Sequence, residues 1–184
     1  LIGSAVAEAG VKIVEVPLNS PDPFQSIATL ARAFGNRMLV GAGTLTDGTQ
    51  VADVARAGGK LIVTPHADVS IVRTAKEAGL LTMPGFFNPT EAFALLKAGA
   101  DAIKLFPAEV LGTSMLKALR AVLPEDAMVI PVGGVDATNI PGWKAAGADG
   151  FGAGSSLYRP GDNAETVWRK AAALIESARS LPGD

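Results

Sequence analysis

No cysteine occurs in these 184 residues, and histidine occurs once, as His66. The first absence excludes a disulfide scaffold and any thiolate metal site; the second excludes a zinc centre built on several histidines. No metal and no cofactor is expected. No apolar run approaches the ~18 residues that cross a bilayer, and no secretory leader is visible. A cytoplasmic protein without a membrane partner is the expectation. A dominant charge is lacking too: 16 Lys and Arg against 18 Asp and Glu leave a net charge of −2. That gives no electrostatic basis for binding nucleic acid. Nor does a low-complexity linker divide the chain, so residues 1–184 are expected to form a single domain, of a size that buries roughly 70% of its unfolded surface.

What is present is repetition. Ala9-Gly10, Ala57-Gly58, Ala78-Gly79, Ala98-Gly99 and Ala146-Gly147 each close a helix-like stretch and precede an apolar run, and Phe34-Gly35 follows the same pattern. A glycine just past a helix supplies its left-handed cap. The apolar runs begin near Val11, Met38, Lys60, Leu80, Asp101, Ala127 and Asp149, 20 to 27 residues apart. That spacing holds a strand, a loop, a helix and a second loop, which predicts parallel strands. Helices are predicted over 50–57, 70–78, 90–98, 114–123 and 163–181, the last before a polar Pro182-Gly183-Asp184 tail. Seven such units are one short of a (β/α)8 barrel, and the chain opens in a predicted helix over 1–9. The expected fold is thus a parallel (β/α)8 TIM barrel whose first strand is missing from this chain. The rival, an open doubly wound sheet, needs a Gly-rich first turn and a switch point, and neither is visible.

Lys104 is out of place in Ala102-Ile103-Lys104-Leu105-Phe106-Pro107, which otherwise reads as a buried strand. Lysine is almost never fully buried without a partner or a purpose. Desolvation lowers its pKa and makes the amine a nucleophile toward carbonyls; the plainer alternative is a packed stem with its head in water. Lys12, Lys60, Asp101 and Asp149 stand at strand starts, where barrels keep stabilising groups. Only Glu15 and Lys104 lie deeper, toward the C-terminal ends where barrel enzymes place their chemistry. They read as an acid/base and a nucleophile, or else as a structural ion pair. A direct contact would favour the charged amine, so the enzymatic reading prefers a gap, a water or a shared proton between them.

Two late strand ends carry glycine-rich loops, Val132-Gly133-Gly134-Val135 and Phe151-Gly152-Ala153-Gly154-Ser155-Ser156. Such loops bring backbone N–H groups to an anion, and in barrels the last two strands often hold phosphate. Tight turns alone are the alternative.

Taken in order, Val14-Glu15-Val16-Pro17-Leu18-Asn19-Ser20, Gly41-Ala42-Gly43-Thr44, Thr64-Pro65, Pro84-Gly85, the strand around Lys104 and Val132-Gly133-Gly134-Val135 resemble the 2-keto-3-deoxy-6-phosphoaldonate aldolases. The resemblance spans essentially the whole chain. Residues 14–20 look closer to the phosphogalactonate enzymes. The phosphogluconate enzymes tend to carry arginine where Asn19 stands and threonine where Val132 stands. The resemblance implies a homotrimeric class I aldolase that cleaves 2-dehydro-3-deoxy-6-phosphogalactonate to pyruvate and D-glyceraldehyde 3-phosphate. It implies Lys104 as the Schiff-base lysine, Glu15 as the acid/base, Thr44 and Pro65 around the pyruvate moiety and Phe106 beside it. Gly133, Gly134 and Ser155, with Gly154 in the same loop, would take the phosphate; Val132 would face C4. The family's arginine in a Leu-Arg-Gly stretch ending the first strand has no counterpart in these residues. Alternatives are the phosphogluconate or 4-hydroxy-2-oxoglutarate aldolase, a phosphate-binding isomerase or epimerase, and a noncatalytic barrel.

Asn19 and Ser20 either read substrate hydroxyls or form a turn before Pro21. His66 either touches substrate or is an exposed loop residue. Of Phe86 and Phe87, one is expected to cap the core and one to line the mouth. Trp143 and Trp168 read as helix packing, and Asp53, Arg56, Arg73, Lys76 and Glu77 as solvated helix faces.

Overall fold

The computed structural model describes residues 1–179; the predicted end of the last helix at Leu181 and the Pro182-Gly183-Asp184 tail lie outside the described residues. The chain divides into two compact units, Lys12–Lys104 and Leu1–Val11 together with Leu105 onward.

In the first unit four parallel strands pair in chain order: β1 (Ile13–Pro17), β2 (Leu39–Gly43), β3 (Leu61–Val63) and β4 (Leu81–Met83). Pro84, which has no N–H to give a ladder, separates β4 from a two-residue strand, β5 (Gly85–Phe86). Between them lie α2 (Pro23–Phe34), α3 (Val51–Arg56), α4 (Val69–Glu77) and α5 (Pro89–Lys97). The starts are chemically specified: Asp68 accepts from Ser70 and Ile71 N–H, and Asn88 accepts from Glu91 N–H, while Pro23 and Pro89 open α2 and α5. Ile27, Val40, Ala42, Leu45, Val54 and Ile62 form the centre of the core, all within 3% exposure. Ile103 and Lys104 of the strand β6 (Ile103–Leu105) end this unit, and the Lys104 N–H donates to the Pro84 carbonyl at 2.8 Å.

The second unit holds α1 (Ile2–Glu8), α6 (Ala108–Arg120), β7 (Val129–Pro131), α7 (Ile140–Ala145) and α8 (Ala164–Arg179). Helices α1 and α7 both pack on α8. The helix α6 starts earlier than its apolar face suggests and is broken at Gly112, whose φ of 73° is not helical.

Further expectations change. The strand predicted near Asp149 is reduced to one parallel bridge, Val132 with Gly152. Glycines at 150, 152 and 154 weaken a strand, and a side chain at 152 would meet Val132 Cγ2 at 2.5 Å. The five glycines of the Ala-Gly pairs all have positive φ, as their capping role requires, whereas Gly35 sits at −62° and its helix runs on into a further turn.

Lys76 is more than a solvated face. Its ammonium lies 2.7 Å from Asp101 Oδ1, while Asp101 Oδ2 accepts from the Thr82 N–H at 2.8 Å. Asp149 repeats the device in the other unit, accepting from Val129 N–H at 2.7 Å and pairing with Arg120. Asp101 and Asp149, two of the charges at strand starts, thus tie one strand to the next.

Candidate active site

Lys104 is 6% exposed, between Ile103 and Leu105, which are fully buried. Burial pushes its amine below the ordinary value of 10.5, and the nearby Glu15 carboxylate pulls part of the way back. Glu15, on β1 in the same unit, shows the mirror behaviour. Burial raises its carboxyl above 4.5, and Lys104 opposes the rise. Its Oε2 is shielded from solvent and has no hydrogen-bond partner among the described residues. Two titratable groups that sense each other, each displaced toward its neutral form, are what a nucleophilic amine and a proton carrier need.

The ends of the neighbouring strands shape the surroundings. Thr44 follows β2 in a left-handed conformation, φ 54°, which is uncommon for a β-branched residue and marks an over-determined position. Pro65 is fixed by its flanks. The Thr64 hydroxyl, 1% exposed, donates to the His66 carbonyl at 2.5 Å and accepts from Gly85 N–H at 3.2 Å. A side chain at Gly85 would strike the Pro65 carbonyl carbon at 2.6 Å. Thr64, Gly43 and Gly85 are structural contributors that stand inside the quoted motifs but carry no role in the sequence reading.

In the second unit, the Val132 and Gly133 carbonyls accept from the Ala108 and Glu109 N–H groups at 2.8 and 3.1 Å. Gly133 and Gly134 have φ of 102° and 67°. The Gly134 carbonyl accepts from Asn139 Nδ2 at 2.7 Å, and the Gly154 carbonyl accepts from Leu157 N–H at 2.9 Å. The carbonyls are thus turned to internal donors. The N–H groups of Gly133, Gly134, Gly154 and Ser155 make no hydrogen bond among the described residues. Arg159, which sequence reading did not single out, donates through Nε to the Ser155 carbonyl at 3.2 Å and adds positive charge to that loop. Phe106, joined to Pro107 by a cis peptide bond, leads into α6.

Other candidates resolve plainly. Asn19 is exposed, and the Ser20 hydroxyl donates to the Pro17 carbonyl at 2.6 Å, a turn contact. His66 is half-exposed, 4.0 Å from Asp68. Phe86 is buried and Phe87 is 48% exposed; Trp143 is buried, Trp168 largely open. No described helix is long and apolar enough to cross a membrane.

Residues 2–172 match the family model described as KDPG and KHG aldolase. The chain is 45% identical to the probable 2-dehydro-3-deoxy-6-phosphogalactonate aldolase of Rhizobium meliloti (strain 1021), covering 97% of this chain and 84% of the relative. It is also 45% identical to the 2-dehydro-3-deoxy-6-phosphogalactonate aldolase of Escherichia coli (strain K12), over 95% and 85% of the two chains. The solved structure titled "Native KDPGal structure" aligns with a TM-score of 0.94, 45% identity and coverage of 96% and 85%. The fold is α/β, alternating parallel strands and helices as in the (β/α)8 barrel, and matches these aldolase structures. The chain belongs to the KDPG and KHG aldolase family.

Proposed function

We propose that this chain is a class I aldolase cleaving 2-dehydro-3-deoxy-6-phosphogalactonate to pyruvate and D-glyceraldehyde 3-phosphate. The observation that carries the chemistry is the buried Lys104, its amine displaced toward neutrality beside a carboxyl displaced the same way. The substrate's sugar epimer follows from the two 45%-identical relatives.

Neutral Lys104 Nζ attacks the C2 ketone, and the carbinolamine loses water when its hydroxyl is protonated by Glu15. The resulting protonated imine withdraws the electron pair of the C3–C4 bond as the C4 hydroxyl gives its proton to the Glu15 carboxylate. Glyceraldehyde 3-phosphate departs and leaves an enamine. Protonation at C3 and addition of water to the imine then release pyruvate and restore the amine. One carboxyl carries each proton in turn, directly or through a water.

Thr44, Pro65 and Phe106 are assigned to the pyruvate moiety, Asn19 to substrate hydroxyls and Val132 to C4. The loop N–H groups of Gly133, Gly134, Gly154 and Ser155 are assigned to the phosphate. A homotrimer in the cytoplasm completes the proposal, and a monomeric mass at micromolar concentration would remove the trimer. For the reaction, purified protein is given the phosphogalactonate substrate, and both products are assayed by coupled dehydrogenases. Equal yields of pyruvate and glyceraldehyde 3-phosphate are expected; pyruvate without the triose phosphate would reject the cleavage.

A further inference from the structure

We infer that Gly43 is a positioning residue for the acid/base: the missing side chain at the end of β2 is what allows the Glu15 carboxyl to lie buried against that strand. The inference rests on the role proposed above for Glu15.

Most described glycines with a structural reason have it in their backbone. Nine adopt positive φ, where any L side chain is strained. Gly43 is not among them. It lies in a strand, in a conformation alanine adopts freely, so its lack of a side chain concerns space. A Cβ built at Gly43 would fall on the Glu15 carboxyl, whose Oε2, Cδ and Oε1 are the three nearest atoms. The backbone offers no escape. Gly43 pairs with Pro17 in the parallel register of β1 and β2, and its carbonyl accepts from Leu18 N–H at 2.9 Å. Relief must therefore come from the carboxyl moving. Gly41, two residues earlier, differs in kind, because its Cβ would strike the backbone and Cβ of Leu61 and concerns strand packing.

The same contact explains why Oε2 is sealed from solvent without a partner. The Cα of a glycine covers it but supplies no hydrogen bond. Loss of that cover turns the carboxyl toward water, where its anion is better solvated. Chemistry that needs one carboxyl to deliver and recover protons at several atoms is sensitive to such a displacement. A misplacement of about 1 Å costs on the order of 10²-fold.

Gly43→Ala is compared with wild type and Glu15→Gln for kcat, KM and pH dependence on the phosphogalactonate substrate. The same alanine is then introduced into wild type and Glu15→Ala, and all four proteins are unfolded in denaturant. Expected are a fall in kcat of about 10²-fold with little change in KM, and a Glu15-dependent limb of the pH profile moved to lower pH. The alanine should shift the unfolding midpoint with Glu15 present and leave it nearly unchanged in the Glu15→Ala background. If Gly43→Ala alone fails to fold, recovery of folding in the double variant supports the contact and continued failure overturns it. Wild-type kcat and pH profile in Gly43→Ala, or equal midpoint shifts in both backgrounds, would also overturn it. Wild-type protein inert toward the substrate would reject the proposed reaction instead, and the unfolding comparison would still decide whether Gly43 holds Glu15.

Discussion

Glu15 on β1 and Lys104 on β6 act on each other's proton equilibria within one compact unit, each moderating a shift that burial imposes on the other. In water a carboxyl and an amine would meet as carboxylate and ammonium. Here burial moves both toward COOH and NH2, so moving one proton between them changes no net charge. A carboxyl drawn toward its neutral form can serve as acid in one step and base in the next.

Replacing Glu15 by glutamine keeps size and removes the proton carrier. The fold should survive and turnover should fall by roughly 10²–10⁴, measured as kcat beside a circular dichroism melt. A variant that unfolds, alongside a stable Glu15/Lys104 double replacement, would make the pair structural.

The pair also opposes folding at neutral pH, and the signs can be worked out. Glu15, raised when folded, contributes stability fully below its ordinary 4.5 and loses it as pH rises through the folded value. Lys104, lowered when folded, contributes stability fully above 10.5 and loses it as pH falls through the folded value. Between those limits both charges are a cost. Glu15→Gln with Lys104→Met should raise stability by up to about 4 kcal/mol near neutrality. Below 4.5 only the Lys104 share of that gain should remain, and above 10.5 only the Glu15 share. Denaturant unfolding at acid, neutral and alkaline pH checks this; a double variant less stable at neutrality would contradict it.

Much of the fold was legible because its signals are local. The Ala-Gly pairs encode left-handed caps, and their spacing encodes parallel strands, so six of the seven expected strands form. The seventh is reduced to one bridge because Gly150, Gly152 and Gly154 supply no strand-forming side chains. At the site, Lys104 and Glu15 were legible because charge inside a strand is costly. Gly43 and Thr64 were not, since space left for a neighbour's side chain and a hydroxyl bridging two strands have no sequence period. Ser20 illustrates the converse, a polar side chain whose hydroxyl closes a turn onto the Pro17 carbonyl.

Asp101 illustrates a charge that holds the fold. Burial pulls its carboxyl up, but the Lys76 ammonium and the Thr82 donors together hold it below 3.8. Its contribution is present above 3.8 and lost as pH falls through the lower folded value. Asp101→Ala leaves the Thr82 N–H without its carboxylate and should cost about 1–3 kcal/mol, with kcat of the folded fraction unchanged. A large fall in kcat at unchanged stability would place Asp101 in the chemistry.

The two sugar epimers differ at C4, the carbon whose hydroxyl is deprotonated in cleavage. Valine at 132, the residue proposed to face that carbon, offers it no hydrogen bond. Val132→Thr should raise relative activity on the phosphogluconate epimer by up to roughly tenfold, the worth of about one hydrogen bond. Comparison of kcat/KM for both epimers in both proteins measures it; a wild type preferring the gluco epimer would reject the assigned substrate and leave the aldolase chemistry standing.

The central claim is the covalent one, and borohydride trapping tests it most directly. Folded protein is incubated with pyruvate and borohydride, digested, and mapped by mass spectrometry. A reduced pyruvyl adduct is expected on the peptide bearing Lys104, absent in Lys104→Met. An unmodified Lys104 in folded, substrate-cleaving protein would contradict the Schiff-base mechanism.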